Sequence, residues 1–285
     1  LDTDGDGEID ELVGHGTFVA GLVHRVAPDA RILPIRVLNG DGRGEHWSLT
    51  RGIYHAIDEG AEVINLSIRS TYDSTAVEEA IAAARARGII TVAAAGNFNL
   101  DRREHPATED EVLGVAALDD LDRKAPFSSY SRRLALSAPG DTIFVNEVPD
   151  PARSIVSLLP DQRIAVWEGT SAAAPLVAGA AAVVRSQYPH RPYDVTTATW
   201  IESILRTTAA DIYDENPQFE PEAELGSGRL DLHAATLAGP PAPTPGDLNG
   251  DGHIDTLDLL ELLSQWGLVH AFADLDANGR VGIGD

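Results

Sequence analysis

The chain has 285 residues, 43% of them hydrophobic, enough for one sizeable core and a small appendage. Its 45 acidic against 21 basic side chains give a formal charge of -24, which excludes the basic footprint of a non-specific nucleic-acid binder. No apolar run is long enough to span a membrane, and the lack of cysteine excludes a disulfide framework and thiolate metal sites.

Neither a methionine nor a charged-then-apolar leader opens the chain, so Leu1 is expected to lie inside a longer precursor. The first segment, Asp2-Thr3-Asp4-Gly5-Asp6-Gly7-Glu8-Ile9-Asp10, has carboxylates at calcium-loop spacing. Val13 stands where the closing bidentate carboxylate belongs, so the segment reads as an acidic insert, open equally to calcium binding and to plain solvation. Next comes Gly14-His15-Gly16-Thr17-Phe18-Val19-Ala20-Gly21, a histidine among glycines where a helical pattern starts. Gly16 and Gly21 are expected to let that helix pack closely.

From about Ala30 to Leu205, short apolar runs alternate with helix-patterned segments. Ile32 to Leu38, Val63 to Ser67, Ile89 to Ala95 and Val112 to Ala117 read as buried strands. Leu49 to Glu59 and Ser74 to Arg87 read as helices, the second with Val77, Ala80, Ile81 and Ala84 on one face and Gly88 as its terminal cap. This alternation predicts an α/β fold, a mostly parallel sheet flanked by helices on both faces. Groups that act on ligands gather at the carboxyl ends of such strands.

Two more segments carry chemistry. Ala93-Ala94-Ala95-Gly96-Asn97 ends a buried strand, so the Asn97 amide can project as a donor to a developing oxyanion. Gly169-Thr170-Ser171-Ala172-Ala173-Ala174-Pro175, continuing to Gly179, sets a serine at the start of a long Ala/Val-rich helix. The positive end of that helix lies near charge that develops on a substrate. Serine is a weak nucleophile until a base takes its proton, and a histidine titrating near neutrality suits that task. Singly, each residue has a plainer reading: a packed histidine, a helix N-cap, a turn asparagine. Their joint order points to nucleophilic catalysis.

In that order the segments resemble the subtilisin-like protease family, the subtilases, over about residues 8 to 238. Pro34-Ile35-Arg36-Val37-Leu38, Asn65-Leu66-Ser67, Phe127-Ser128-Ser129, Ala138-Pro139-Gly140 and Gly226-Ser227-Gly228-Arg229-Leu230 resemble further family segments. The resemblance implies a subtilisin-like fold and a secreted serine endopeptidase working through an acyl-enzyme. His15 would be the base, Ser171 the nucleophile, and Asn97 would complete an oxyanion hole with the Ser171 amide. Ser67 would pair with a protein or peptide substrate, and Ala95 and Gly96 would line a specificity pocket with room for a bulky apolar side chain. The family's triad aspartate ends a strand upstream of the histidine. Asp2 stands too close to His15 for that, so the carboxylate and its strand are expected upstream of this fragment, which should then turn over slowly. The alternative is a catalytically inactive scaffold used for binding. Two departures stand out: Ala172 in place of the usual methionine, and Arg69 where glycine is frequent, read as a solvated loop charge or as a group that narrows the cleft or favours acidic substrate residues.

Beyond Ala238, Gly239-Pro240-Pro241-Ala242-Pro243-Thr244-Pro245-Gly246 is a semi-rigid linker. Asp247, Asn249, Asp251, Asp255 and Asp258 then fall at positions 1, 3, 5, 9 and 12 of an EF-hand-type loop, with Gly252 at position 6. Leu259, Leu262, Leu263 and Trp266 follow on one helical face. Asp274, Asp276, Asn278 and Asp285 repeat the loop. The pair resembles a dockerin-type repeat, which implies Ca2+ as cofactor and a cohesin-like anchoring partner. The expected organisation is a peptidase domain over 1–238, a linker over 239–246, and a small α-helical calcium-loop module over 247–285.

Overall fold

The structure, a computed structural model, describes residues 12–189, 191–238 and 256–264, together with Trp266. Four strands, β1 (Val63–Leu66), β2 (Ile90–Ala94), β3 (Val112–Leu118) and β4 (Leu136–Pro139), form a parallel sheet in that order. Every residue of β2 and β3 is buried, which is why they read as unbroken apolar runs. Alternate residues feed two cores. Val92, Ala94, Val115 and Ala117 pack with helices α4 (Thr170–Ser186) and α5 (Val195–Thr207). Ala93, Ala95, Ala116 and Leu118 pack on the other face with α2 (His46–Asp58) and α3 (Thr75–Ala86). The expected α/β layering is therefore present.

The end of α3 follows the expected capping. Gly88 N–H donates to Arg85 O at 2.8 Å and Ile89 N–H to Ala84 O at 3.1 Å, with Gly88 at φ +73°. These are the two bonds of a Schellman cap. The closing segment also docks where β4 needs it, with Ser137 N–H donating to Gly228 O and Leu230 N–H to Ser137 O, both at 2.8 Å.

One expected strand is not formed. Ile32 to Leu38 makes no ladder among the described residues. Ile35 and Val37 do pack on the core beneath α2, but Ile32 and Leu33 are 42% and 43% exposed. The apolar run is only partly turned inward, and no described strand pairs with it to satisfy its backbone. Conversely, two hairpins carried no periodic signal: β5 (Phe144–Val145) with β6 (Val148–Pro149), and β7 (Val156–Leu159) with β8 (Arg163–Val166). The first helix is α1 (His15–Val26), and α6 (Leu232–Leu237) packs on α4.

The helix expected to follow Asp258 is α7 (Thr256–Ser264), which starts two residues earlier and exposes Leu259, Leu263 and the following Trp266. The other proposed calcium ligands lie outside the described residues, as does the acidic segment Asp2 to Asp10. Among the described residues no helix is long and apolar enough to cross a membrane.

Candidate active site

His15 opens α1 because Gly14, at φ +93°, turns the chain against the β7–β8 hairpin. A β-carbon at Gly14 would stand 2.8 Å from Pro160 Cδ. One turn apart, Phe18 and Leu22 bury against Ala172 and hold α1 on the start of α4. Of the two glycines expected to aid packing, Gly21 does so: Ser157 Oγ donates to Phe18 O at 2.8 Å through the space a side chain would fill. Gly16 faces open space. Trp167, just beyond β8, sets its ring edge-on to His15 at 5.8 Å and to Phe18 at 5.4 Å. Burial in this aromatic corner lowers the His15 pKa below its ordinary 6.5, so the imidazole is neutral at pH 7.

Ser171 is the second residue of α4. Its carbonyl would normally accept from the residue four further on, but that residue is Pro175, which has no N–H. Ser67 Oγ takes the vacant place, donating to Ser171 O at 2.9 Å. In return Ser171 Oγ donates to Ser67 O at 3.3 Å, and Asn65 Nδ2 donates to Ser67 Oγ at 3.0 Å. The chain just beyond β1 is thus fastened to the start of α4.

Asn97, past the end of β2, is fixed on the other side of Ser171. Its Oδ1 accepts from Thr170 N–H at 2.9 Å and from Thr170 Oγ1 at 2.8 Å. A backbone N–H can only donate, so the amide oxygen must face Thr170, and the Nδ2 donors face outward from an exposed residue. Thr170 Oγ1 also accepts from Gly96 N–H at 3.0 Å. The plainer reading of Gly-Thr-Ser as an N-cap therefore fails: the cap position is Gly169, and the threonine hydroxyl braces Asn97 instead. Gly169 adopts φ +143°, which side-chain-bearing residues rarely take, and a β-carbon there would stand 3.1 Å from Asn97 Nδ2 and press on it.

His15, Ser67, Gly96, Asn97, Trp167 and Ser171 all line one cavity of ≈ 660 Å³. Ala95 does not line it, since it packs into the core on the α2–α3 face, and Ala94 lies in the cavity wall instead. Among the described residues no hydrogen bond joins the His15 ring to Ser171, whose hydroxyl is turned to Ser67, and no carboxylate pairs with that ring. The outer wall is acidic. There Glu109 pairs with His105 Nδ1, Asp73 lies 3.8 Å from the same nitrogen, and desolvation with the nearby Asp73 and Glu109 charges raises the Glu78 pKa.

A serine at a helix start, a neutral histidine and a braced amide line one cavity, and the chain matches a known family in sequence as well. The model of the subtilase family of peptidases matches residues 1–232. The chain belongs to the subtilase family. Subtilisin DY of Bacillus licheniformis is 34% identical over 235 residues, covering 78% of this chain and 77% of that protein. The crystal structure of a lanthipeptide protease superposes with a TM-score of 0.68 at 25% identity, covering 79% of this chain and 75% of the other. A protease from Pseudoalteromonas arctica gives 0.67 at 29% identity, covering 79% and 70%. Three residues of this subtilase site escaped sequence reasoning. Trp167 was invisible because its contact with His15 is tertiary. Pro175 was read only as part of a motif, although a proline inside a helical pattern always frees one carbonyl. Thr170 was masked by its resemblance to a cap.

Proposed function

We propose that this subtilase hydrolyses peptide bonds through an acyl-enzyme on Ser171. Ser171 Oγ attacks the carbonyl carbon and passes its proton to His15. The oxygen, now negative, accepts hydrogen bonds from Asn97 Nδ2 and from the Ser171 N–H, one of the unpaired donors in the first turn of α4. His15 then protonates the leaving amine, and a water deprotonated by His15 releases the acyl group. Before attack the Ser171 hydroxyl must swing from Ser67 O to His15. The observation that carries this reading is the bracing of Asn97 by both donors of Thr170, because it aims an amide at one place beside Ser171 before any substrate arrives. The carboxylate that would orient His15 is expected upstream of it, outside the described residues.

The remaining assignments rest on donor chemistry. Asp247, Asn249, Asp251, Asp255, Asp258, Asp274, Asp276, Asn278 and Asp285 offer an all-oxygen set, which suits Ca2+, and with α7 they would form a dockerin-like module for a cohesin-like partner. Secretion is the localisation that goes with this reading, as for subtilisins. One observation favours the second reading, a binding scaffold: the Ser171 hydroxyl is engaged by Ser67 rather than by His15. Incubation with unfolded casein separates the two. The proposal expects new peptide termini that vanish in Ser171→Ala; binding without cleavage would support the scaffold.

A further inference from the structure

β1 and β2 are neighbouring parallel strands, and their ends run on as two lips, Ser67 to Arg69 and Ala95 to Phe98. Each lip touches the start of α4, the first through Ser67 to Ser171 and the second through Asn97 to Thr170. The crevice between them therefore opens directly beside Ser171, at the carboxyl ends of the strands.

Arg69 spans that crevice. Its Cδ lies 3.4 Å from where a β-carbon of Gly96 would stand, so its stem rests on the bare backbone of the opposite lip. Its guanidinium carbon sits 3.8 Å from the centre of the Phe98 ring. Its Nη1 donates to Glu104 Oε2 at 3.3 Å. Glu104 lies beneath Gly96, 1% exposed, and its other oxygen accepts from Arg102 Nε at 2.6 Å. A buried carboxylate demands cations, so the pair holds Arg69 down more firmly than a surface ion pair would. Solvent still reaches Arg69, whose side chain is 33% exposed, but it is engaged on three sides.

The geometry points to Arg69 as a specificity-determining residue: it plugs the crevice beside Ser171, so the site takes only small side chains from the residue preceding the scissile bond. The inference rests on the proposed peptidase reading and reverses the room for a bulky apolar group expected from the alanine-rich strand. Removing the plug exposes the Glu104 carboxylate with, among the described residues, only Arg102 left to balance it, and the opened crevice then accepts a lysine or arginine side chain.

The test uses the full chain and four peptide series that differ only at that residue: alanine, phenylalanine, lysine or glutamate. Hydrolysis is measured, and in parallel the affinity of the matching product peptides by calorimetry. The wild type should favour alanine at least about tenfold over phenylalanine and lysine in whichever readout responds. Arg69→Ala should raise lysine about tenfold or more while changing alanine little. Arg69→Ala/Glu104→Gln, which leaves no unpaired buried charge and so guards against misfolding, should raise phenylalanine but not lysine. Equal use of phenylalanine and alanine by the wild type, a preference for glutamate, or an unchanged order in both variants would overturn the plug. A correct order in binding without any hydrolysis would instead support the plug and overturn the peptidase reading.

Discussion

Ser67 and Ser171 exchange two hydrogen bonds, hydroxyl to carbonyl in each direction, at 2.9 and 3.3 Å. The exchange exists because Pro175 cannot donate to the Ser171 carbonyl. Ser67→Ala should therefore leave a carbonyl of α4 unpaired and lower stability by about 1 kcal/mol. In a Pro175→Ala background the restored N–H takes over, and the same Ser67 change should cost markedly less. A double-mutant cycle read by denaturant unfolding measures the difference, and additive effects would contradict the coupling.

Asn97→Ala should reduce turnover by about a hundredfold or more with little change in stability. That magnitude is typical of the loss of one preorganised oxyanion donor. Thr170→Val keeps the N–H but loses the hydroxyl that bonds both Asn97 and Gly96, so a smaller loss in turnover is expected. Steady-state kinetics on the two variants and their double would show non-additive effects, since Thr170 acts through Asn97.

The pH dependence follows from His15. Its folded pKa is depressed below 6.5 by burial, so it stays a neutral base below that pH and the acid limb of kcat/KM should lie under 6.5. Stability runs the same way. As pH falls past 6.5 the unfolded chain takes up a proton that folded His15 refuses, so stability present above 6.5 declines toward the folded pKa. Trp167→Ala admits water to the ring and should move the acid limb upward toward 6.5. A limb that stays fixed in the variant would remove Trp167 as the cause.

Much of the fold was legible in the residues. β2 and β3 are buried on both faces, so their apolar runs need no partner to be recognised, and Gly88 announces the end of α3. Ile32 to Leu38 misled because an apolar run reports hydrophobic content, not whether a neighbour supplies hydrogen bonds. The hairpins β5–β6 and β7–β8 were silent for the opposite reason: Phe144, Val145, Val148 and Ile164 are exposed, so packing imposed no pattern on them. At the site, motif order brought out His15, Asn97 and Ser171, whereas Arg69, Glu104 and Trp167 act through contacts that no local spacing encodes.

Calcium should bind outside the peptidase site. Asp251→Ala/Asp255→Ala is expected to lower the calcium stoichiometry in calorimetry while leaving casein cleavage unchanged. An unaltered stoichiometry would remove that loop as a ligand set.

The most direct measurement is labelling by a fluorophosphonate, followed by peptide mapping. The proposed chemistry predicts a single adduct on Ser171 that forms about a hundredfold more slowly in His15→Ala. An adduct on another serine, or equal labelling with and without His15, would contradict it.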